Sequence, residues 1–475
     1  MKDTKKRTLI FGICISILCV ICFGAGFSVP YLLKGSKNGE QEKFDQVYSL
    51  LSQDWYFKDS VKDLDTVLME KAISGMSNLE IDPHTTYMSL EHAQAFSASL
   101  QGSNTGLGIM FYNDADSNIV VKQVFINSAA DKAGLQNQDV IVKVDDKLCS
   151  QTKTEDLLSY IQDHKEKSMT LQIVREAQTK EIKITPTEYD STVICNLYDD
   201  YGEIILSSFS KNSGKDVASA MQRIQKAGLS KVLLDLRNNA GGYLSAALDI
   251  ASTFVPKGSV IFQEEYKDGK IKQLKTTDSF AQIPMESIVV LQNQNTASAS
   301  EALIGALKDL LTDKVICVGE TTYGKGTEQV SIPFADGTSL KYTIAKWLTP
   351  NGTSIHEKGF EPDIPVEAAA INTVTYTEFT EDMLIQADSV HENAKALQIF
   401  LQYLGYPSDR SDTYFSVESS KGLQQFQQDH GLDATGNCDQ KTWLCLIEKT
   451  LEKLNVEFQT EDQQRNKGIE VLKSH

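Results

Sequence analysis

A lysine set between glycines in GETTYGKGT (319–327) admits two chemistries. Read as a phosphate loop, G-x-x-x-x-G-K should be followed by Ser or Thr to ligate Mg²⁺. Here Gly326 stands at that position and the hydroxyl comes one place late, at Thr327. Read as a general base, Lys325 needs a neutral amine. An exposed lysine near pKa 10.4 is neutral only about once in 10³ at pH 7, whereas a base works best near 7–8. Closing that gap takes roughly 4 kcal/mol, which burial among apolar groups can supply. The preceding apolar run VICVG and Tyr323 are suitable surroundings, and Gln329, four positions on, is spaced to orient the amine.

A base needs a nucleophile. NTASASEALIGAL (295–307) follows the apolar run SIVVLQNQ and opens a helix, so its hydroxyls lie at a helix N-terminus beside unpaired N–H groups. Such groups can hold a developing oxyanion. The same spacing, Ser298 with Glu301 three residues on, also reads as an ordinary capping box. LDLRNNAGGYLSAALD (234–249) repeats the plan one unit earlier, with Gly241 and Gly242 permitting close backbone approach. A tight strand-to-helix turn explains those glycines equally well. Other serine chemistries are poorly served. No G-x-S-x-G elbow occurs, the S-x-x-K pairs Ser150/Lys153 and Ser208/Lys211 lack a KTG box, and His356 reads as a solvated loop residue.

The elements that must position these groups follow from apolar patterning. Residues 193–372 alternate apolar strands with amphipathic helices, which suggests an α/β core. Residues 101–185 differ. GLGIMFY, NIVVKQVF, DVIVKVDDK and MTLQIVRE read as strands, with helices in SAADKAGLQNQD, closed by Gly134, and TEDLLSYIQDHK. Residues 44–100 read as mainly helical, interrupted by the turn-rich IDPHTTYMS. EAAAINTVTYTEFTED reads as a low-complexity linker, followed by a helical module and a polar tail.

The chain has 475 residues, 41% hydrophobic and 23% charged, with a formal net charge of −18. That charge argues against nucleic acid as a partner for the body of the protein. Lys2, Lys5, Lys6 and Arg7 precede LIFGICISILCVICFGAGF (9–27). This run is long enough to span a bilayer, for which roughly 20 apolar residues are needed. Its basic flank predicts a cytoplasmic N-terminus and an exported remainder; a cleaved signal peptide is the alternative. Export further disfavours a nucleotide loop. Of eight cysteines, three fall in that run, and the other five show no metal-ligand spacing, with Cys438 and Cys445 either paired or free.

Taken together, LDLRNNAGG, TASASEALIGALKD, VGETTYGKGTEQ and AKWLTPNGTSIHEKGFEPD resemble the carboxyl-terminal processing peptidases, or tail-specific proteases. The likeness runs from IDPHTTYMSLE to GFEPDIPV (359–366). It implies a Ser-Lys dyad, with Ser298 as nucleophile, Lys325 as base and Gln329 as its orienting partner. Ser300 is the rival hydroxyl. The backbone N–H of Ala299, with that of Gly241 or Gly242, would form the oxyanion hole. Ala240 departs from the Pro usual in the family, and LLTDK (310–314) makes the connection slightly longer.

The β-rich segment resembles a PDZ domain, with Gly106, Leu107, Gly108 and Ile109 as the carboxylate-binding loop. Tail docking there is expected to gate the protease site, with Arg175 as a candidate coupling residue. LQIFLQYLGYP and YFSVESSKGLQQFQQDHGLDATGNCDQKTWLCL are similar to a three-helix peptidoglycan-binding domain.

The expected organisation is multidomain α/β: a basic flank and anchor (1–34), a linker and helical segment (35–95), and a PDZ-like module (96–185). The protease core (186–370), a linker (371–390), a wall-binding module (391–455) and a polar tail (456–475) follow. The expected partners are protein or peptide substrates with accessible C-terminal tails, peptidoglycan, the membrane and a second copy of the chain. No metal or organic cofactor is implied. A non-enzymatic scaffold with a degenerate core and an extracytoplasmic NTPase are the competing readings.

Overall fold

The apolar strands of the core assemble into a six-stranded sheet. Its order is Val193–Leu197, Gly202–Leu206, Lys231–Asp235, Ser287–Gln292, Val315–Gly319 and Ile364–Pro365. The first pair is antiparallel and the rest are parallel. Side chains alternate across a strand, so Val232 and Leu234, with Ile288 and Val290, face helices Ser213–Lys226, Leu244–Phe254 and Ala299–Leu310. Leu233, Val289 and Leu291 face the other way, into a second cluster. Both faces are therefore covered, which is why these strands read as continuous apolar runs. A second, antiparallel sheet contains Val260–Tyr266, Ile271–Lys275, Thr327–Pro333 and Ser339–Leu348.

The computed structural model describes residues 39–457 and 462–475. The expected membrane span at 9–27 lies outside the described residues. Among those described, no helix is long and apolar enough to cross a membrane.

The cover of the second face corrects the expected polar tail. Residues Gln463–Ser474 form a helix that lays Val471 and Leu472 on Leu233, Val289 and Leu291. Gly468 permits the close approach, since a Cβ there would stand 2.8 Å from a Leu291 methyl. Arg465 Nε donates to Glu203 at 2.6 Å, and the Arg237 guanidinium donates to both Asp462 oxygens at 2.7 Å. The helix escaped sequence reading because its apolar residues are few among charged ones. Arg465→Ala would leave Glu203, 1% exposed, without its cation. We expect a loss of about 3 kcal/mol, the scale for breaking a buried pair, read as a lower thermal unfolding midpoint.

The chain divides into two units, residues 1–87 and 88–475. In the first, Gly39–Ser49 and Leu64–Ser77 are helical, as patterning predicts. In the second, the β-rich module forms a six-stranded antiparallel sheet that includes Ile109–Asn113, Ile119–Val124, Val140–Val144, Met169–Arg175 and Gln178–Ile184. Helices Ala129–Ala133 and Thr154–Asp163 close its own apolar core. The strand Gln178–Ile184 was not legible, because five of its seven residues are polar or charged.

The helical module contains Ala394–Leu404, Val417–Asp429 and Gln440–Glu457. Its core includes Phe379 and Ile385 from the stretch expected to be a linker, a second correction. Those apolar residues are spaced too irregularly to show a period. The five cysteines among the described residues are free, Cys438 and Cys445 included.

Candidate active site

Three neighbouring parallel strands, Lys231–Asp235, Ser287–Gln292 and Val315–Gly319, deliver the three candidate motifs from their C-terminal ends. This is where open α/β sheets present ligand sites. Ser298 caps helix Ala299–Leu310 with φ 58° and ψ −115° and is 8% exposed. A non-glycine residue at positive φ is a strained conformation that the surrounding structure must enforce. The serine thus sits at a sharp strand-to-helix elbow although the flanking glycines of the usual elbow motif are absent.

Glu301 does the enforcing. Its Oε2 accepts from the N–H of Ser298 and of Lys325, each at 2.8 Å, so the two candidate catalytic residues have their backbones within two hydrogen-bond lengths. Its Oε1 accepts from Thr322 Oγ1 and the Gly324 N–H, both at 2.6 Å. Burial pushes the carboxyl up from its ordinary value, and the four donors oppose that shift. Sequence reasoning gave Glu301 half of a local cap. Its tie to residues more than twenty positions away could not be seen from spacing.

The same bonds dispose of the phosphate loop. The N–H groups of Gly324 and Lys325 donate to a carboxylate, and the loop runs into strand Thr327–Pro333. A phosphate cradle of this kind requires a helix N-terminus there.

Asn239 organises the second motif. Its Oδ1 accepts from the Gly241 N–H at 2.9 Å and its Nδ2 donates to the Leu206 carbonyl at 2.8 Å. Its own carbonyl accepts from the Ala297 N–H and from Ser300 Oγ. Ser300 is fully buried and its hydroxyl is committed, so the rival is placed as a structural residue. Gly241 has φ 100°, and a Cβ on it would stand 2.9 Å from the Ala299 nitrogen and the Ser298 Cβ. Of the three candidate oxyanion donors, Gly241 is engaged by Asn239. The N–H groups of Gly242 and Ala299 make no bond among the described residues.

Gln329 lies on strand Thr327–Pro333, where its amide donates to Thr327 Oγ1 at 2.9 Å and Thr343 Oγ1 at 3.1 Å. That leaves its carbonyl oxygen as an acceptor. The Lys325 carbonyl accepts from the buried Trp347 indole at 3.0 Å, which pins the loop to the second sheet. His356, expected in solvent, is half-buried and packs on Gly326.

The β-rich module holds a cavity of about 200 Å³ lined by Gly106, Leu107, Gly108, Ile109, Leu158 and Tyr189, among others. Gly108 takes φ 84°, and its carbonyl accepts from Phe125 N–H. The N–H groups of Leu107 and Gly108 make no bond among the described residues.

Comparison with known proteins agrees with this arrangement. The model of peptidase family S41 matches residues 200–366, that of a PDZ domain 120–175, and that of a peptidoglycan binding domain 390–446. A probable CtpA-like serine protease of Staphylococcus epidermidis is 32% identical over 89% of this chain and 85% of its own length. One from Staphylococcus aureus strain N315 is 32% identical over 96% and 90% respectively. The chain belongs to the S41 family of CtpA-like serine proteases. It is a serine-type peptidase that carries a PDZ domain and a C-terminal helical peptidoglycan-binding domain. Among solved structures, a photosystem II D1 C-terminal processing protease matches 70% of this chain and 94% of that one, at 23% identity and a TM-score of 0.38.

In this S41 peptidase the arginine that crosses between the PDZ domain and the core is one that sequence reading missed. Arg223, on helix Ser213–Lys226, forms a two-pronged pair with Asp131 at 2.8 and 2.7 Å. Arg175 pairs instead with Asp139 at 2.6 and 2.7 Å and with the Gly134 carbonyl, all inside the PDZ domain. Asn127 Nδ2 adds a bond to Asp216 at 2.6 Å.

A carboxyl pair also lies beside the lysine loop. Glu328 lies next to Glu264, and its buried Oε2 makes no bond among the described residues; Glu264 is 4% exposed and accepts from Lys272 at 3.0 Å. Burial, then the Glu264 charge, pushes the Glu328 carboxyl up to about 7. The folded state thus binds this proton more tightly than an unfolded chain with its ordinary 4.5. The resulting stability is fully present below the unfolded value and lost as pH rises through about 7. Glu328→Gln is therefore expected to flatten the fall in unfolding midpoint between about pH 5 and 8. An unchanged slope would show that another group titrates.

Proposed function

We propose that this S41 peptidase is an exported, membrane-anchored endopeptidase that recognises the C-terminal tails of protein substrates and cleaves them through a Ser298–Lys325 dyad. The observation that carries the reading is the convergence of Ser298 and Lys325 on one Glu301 oxygen beside the Gly241–Gly242 turn. Neutral Lys325 takes the proton of Ser298 Oγ as that oxygen attacks the scissile carbonyl. The tetrahedral oxyanion forms against the N–H groups of Ala299 and Gly242. Lys325 then returns the proton to the leaving amine, and water releases the acyl group. Gln329 orients the amine through its carbonyl oxygen.

The cavity at Gly106–Ile109 takes the substrate's terminal carboxylate on the N–H groups of Leu107 and Gly108, with apolar side chains receiving the last residue. The basic flank and apolar run at 9–27 support a membrane anchor with the catalytic domain outside the cytoplasm. The helical module supports a place at the wall of a wall-bearing bacterium. Pairing of two copies belongs to the same reading.

The test is intact-mass analysis after incubation with an unstructured protein ending in a short apolar tail. Wild type is expected to release fragments and Ser298→Ala none. Fragments from both would move the nucleophile elsewhere. No fragments from either would favour a non-enzymatic scaffold.

A further inference from the structure

The wall of the tail cavity is continuous, through one chain segment, with the Gly241–Gly242 turn. Strand Ser103–Gly106 pairs with Thr187–Asp190, bringing Asn104 opposite Tyr189 and Ser103 opposite Asp190. Asn104, Thr105, Gly106 and Tyr189 all line the cavity, and the Tyr189 ring lies 3.3 Å from where a Cβ on Gly108 would stand. Asp190 is buried and turned toward the core. One oxygen accepts from the Thr192 N–H at 3.1 Å and Thr192 Oγ1 at 2.6 Å, and the other accepts from Ser210 Oγ. Ser213 Oγ completes the cluster, accepting from the Ser210 N–H at 2.8 Å and donating to the Ser208 carbonyl at 3.0 Å.

The far side of that segment grips the turn. Phe209 N–H and Ser208 Oγ donate to the Gly241 carbonyl at 2.9 and 3.2 Å, and Tyr243 N–H donates to the Phe209 carbonyl at 2.8 Å. Gly242 packs so closely that a Cβ would stand 2.3 Å from that carbonyl oxygen. Ser210 and Ser213 are fully buried, so the cluster is desolvated and each bond has one available geometry.

We infer that Asp190 is a positioning residue for the Gly241–Gly242 turn: it fixes Ser208–Ser213 relative to the strand whose Tyr189 walls the tail cavity, so that filling the cavity sets the turn against Ser298. Asp190 touches no substrate and acts through Ser210. The inference rests on the proposed roles of Ser298 and of the tail cavity.

The experiment measures the rate at which a fluorophosphonate labels Ser298 of the full chain, with and without a short peptide ending in an apolar residue. Peptide affinity is followed separately by fluorescence anisotropy. In wild type the peptide is expected to speed labelling by about tenfold, within the usual range of coupling between sites. Asp190→Asn should keep wild-type peptide affinity while losing that acceleration. Ser210→Ala, a smaller change at the other end of the bond, should do the same and decides the matter if Asp190→Asn does not fold. Folded variants that keep the full acceleration would overturn the inference. Wild-type labelling that the peptide leaves unchanged would overturn it too, while sparing Ser298. Wild type left unlabelled would overturn the nucleophile assignment beneath it.

Discussion

Lys325→Ala is expected to lower turnover by at least about 10⁴-fold, the scale seen when one member of a nucleophile–base pair is removed. Tail-peptide affinity should stay at the wild-type level, because the cavity proposed to take the peptide lies in the β-rich module and Lys325 does not line it. The loss is large because a serine hydroxyl without a base remains protonated and nucleophilically weak. What survives is the contribution of the oxyanion donors and of binding. Lys325→Arg is the sharper comparison: a guanidinium is always charged, so it restores a long side chain without restoring a base. Single-turnover cleavage of an unstructured substrate, with anisotropy for the tail peptide, gives both numbers. Cleavage within about tenfold of wild type in Lys325→Ala would remove the lysine from the mechanism.

Glu301→Gln should be the second most damaging single change. The carboxylate accepts four hydrogen bonds, two on each oxygen, from Ser298, Lys325, Thr322 and Gly324. A carboxamide of the same shape has one acceptor and one donor. Whichever way it lies, its NH₂ faces at least one backbone N–H that cannot turn away. Hydrogen bonds to a charged group contribute about 1.5–3 kcal/mol each. Losing one or two in the transition state predicts a drop in kcat of about 10²–10³. The strained φ of Ser298 is held by the same bond, so the elbow should relax as well. Thermal unfolding separates this from simple loss of structure: a small shift in midpoint with a large loss of kcat is the expected pattern. Activity near that of wild type would mean that the lysine and the serine are brought together by something other than this carboxylate.

Much of the core was legible because its signals are local. Both faces of the sheet are buried, so runs such as KVLLDL and SIVVLQ announce strands without help from elsewhere. Turn glycines mark where those strands end. What could not be read were the assignments that tertiary contacts decide. Arg175 and Arg223 look alike in sequence, and only the fold pairs one with Asp139 inside the PDZ domain and the other with Asp131 across its boundary. Ser298 and Ser300 are two residues apart, and the Asn239 carbonyl is what commits the second hydroxyl. The second sheet, which carries Gln329 and the Trp347 contact to the lysine loop, left little trace because its strands are half polar.

The helix Gln463–Ser474 has a consequence for how the molecule presents itself. The chain leaves the protease core after strand Ile364–Pro365, builds the helical module, and comes back at Asp462 to complete the core's third layer. The module is thus an insertion within the protease fold rather than an appendage to it. A body hung on one strand can swivel freely, whereas one held at both ends is denied most of that rotation. The module and the core are thus joined at two points along the chain. Nor can the module be trimmed away by shortening the chain, because the last helix, with its clamp on Arg237, would go with it.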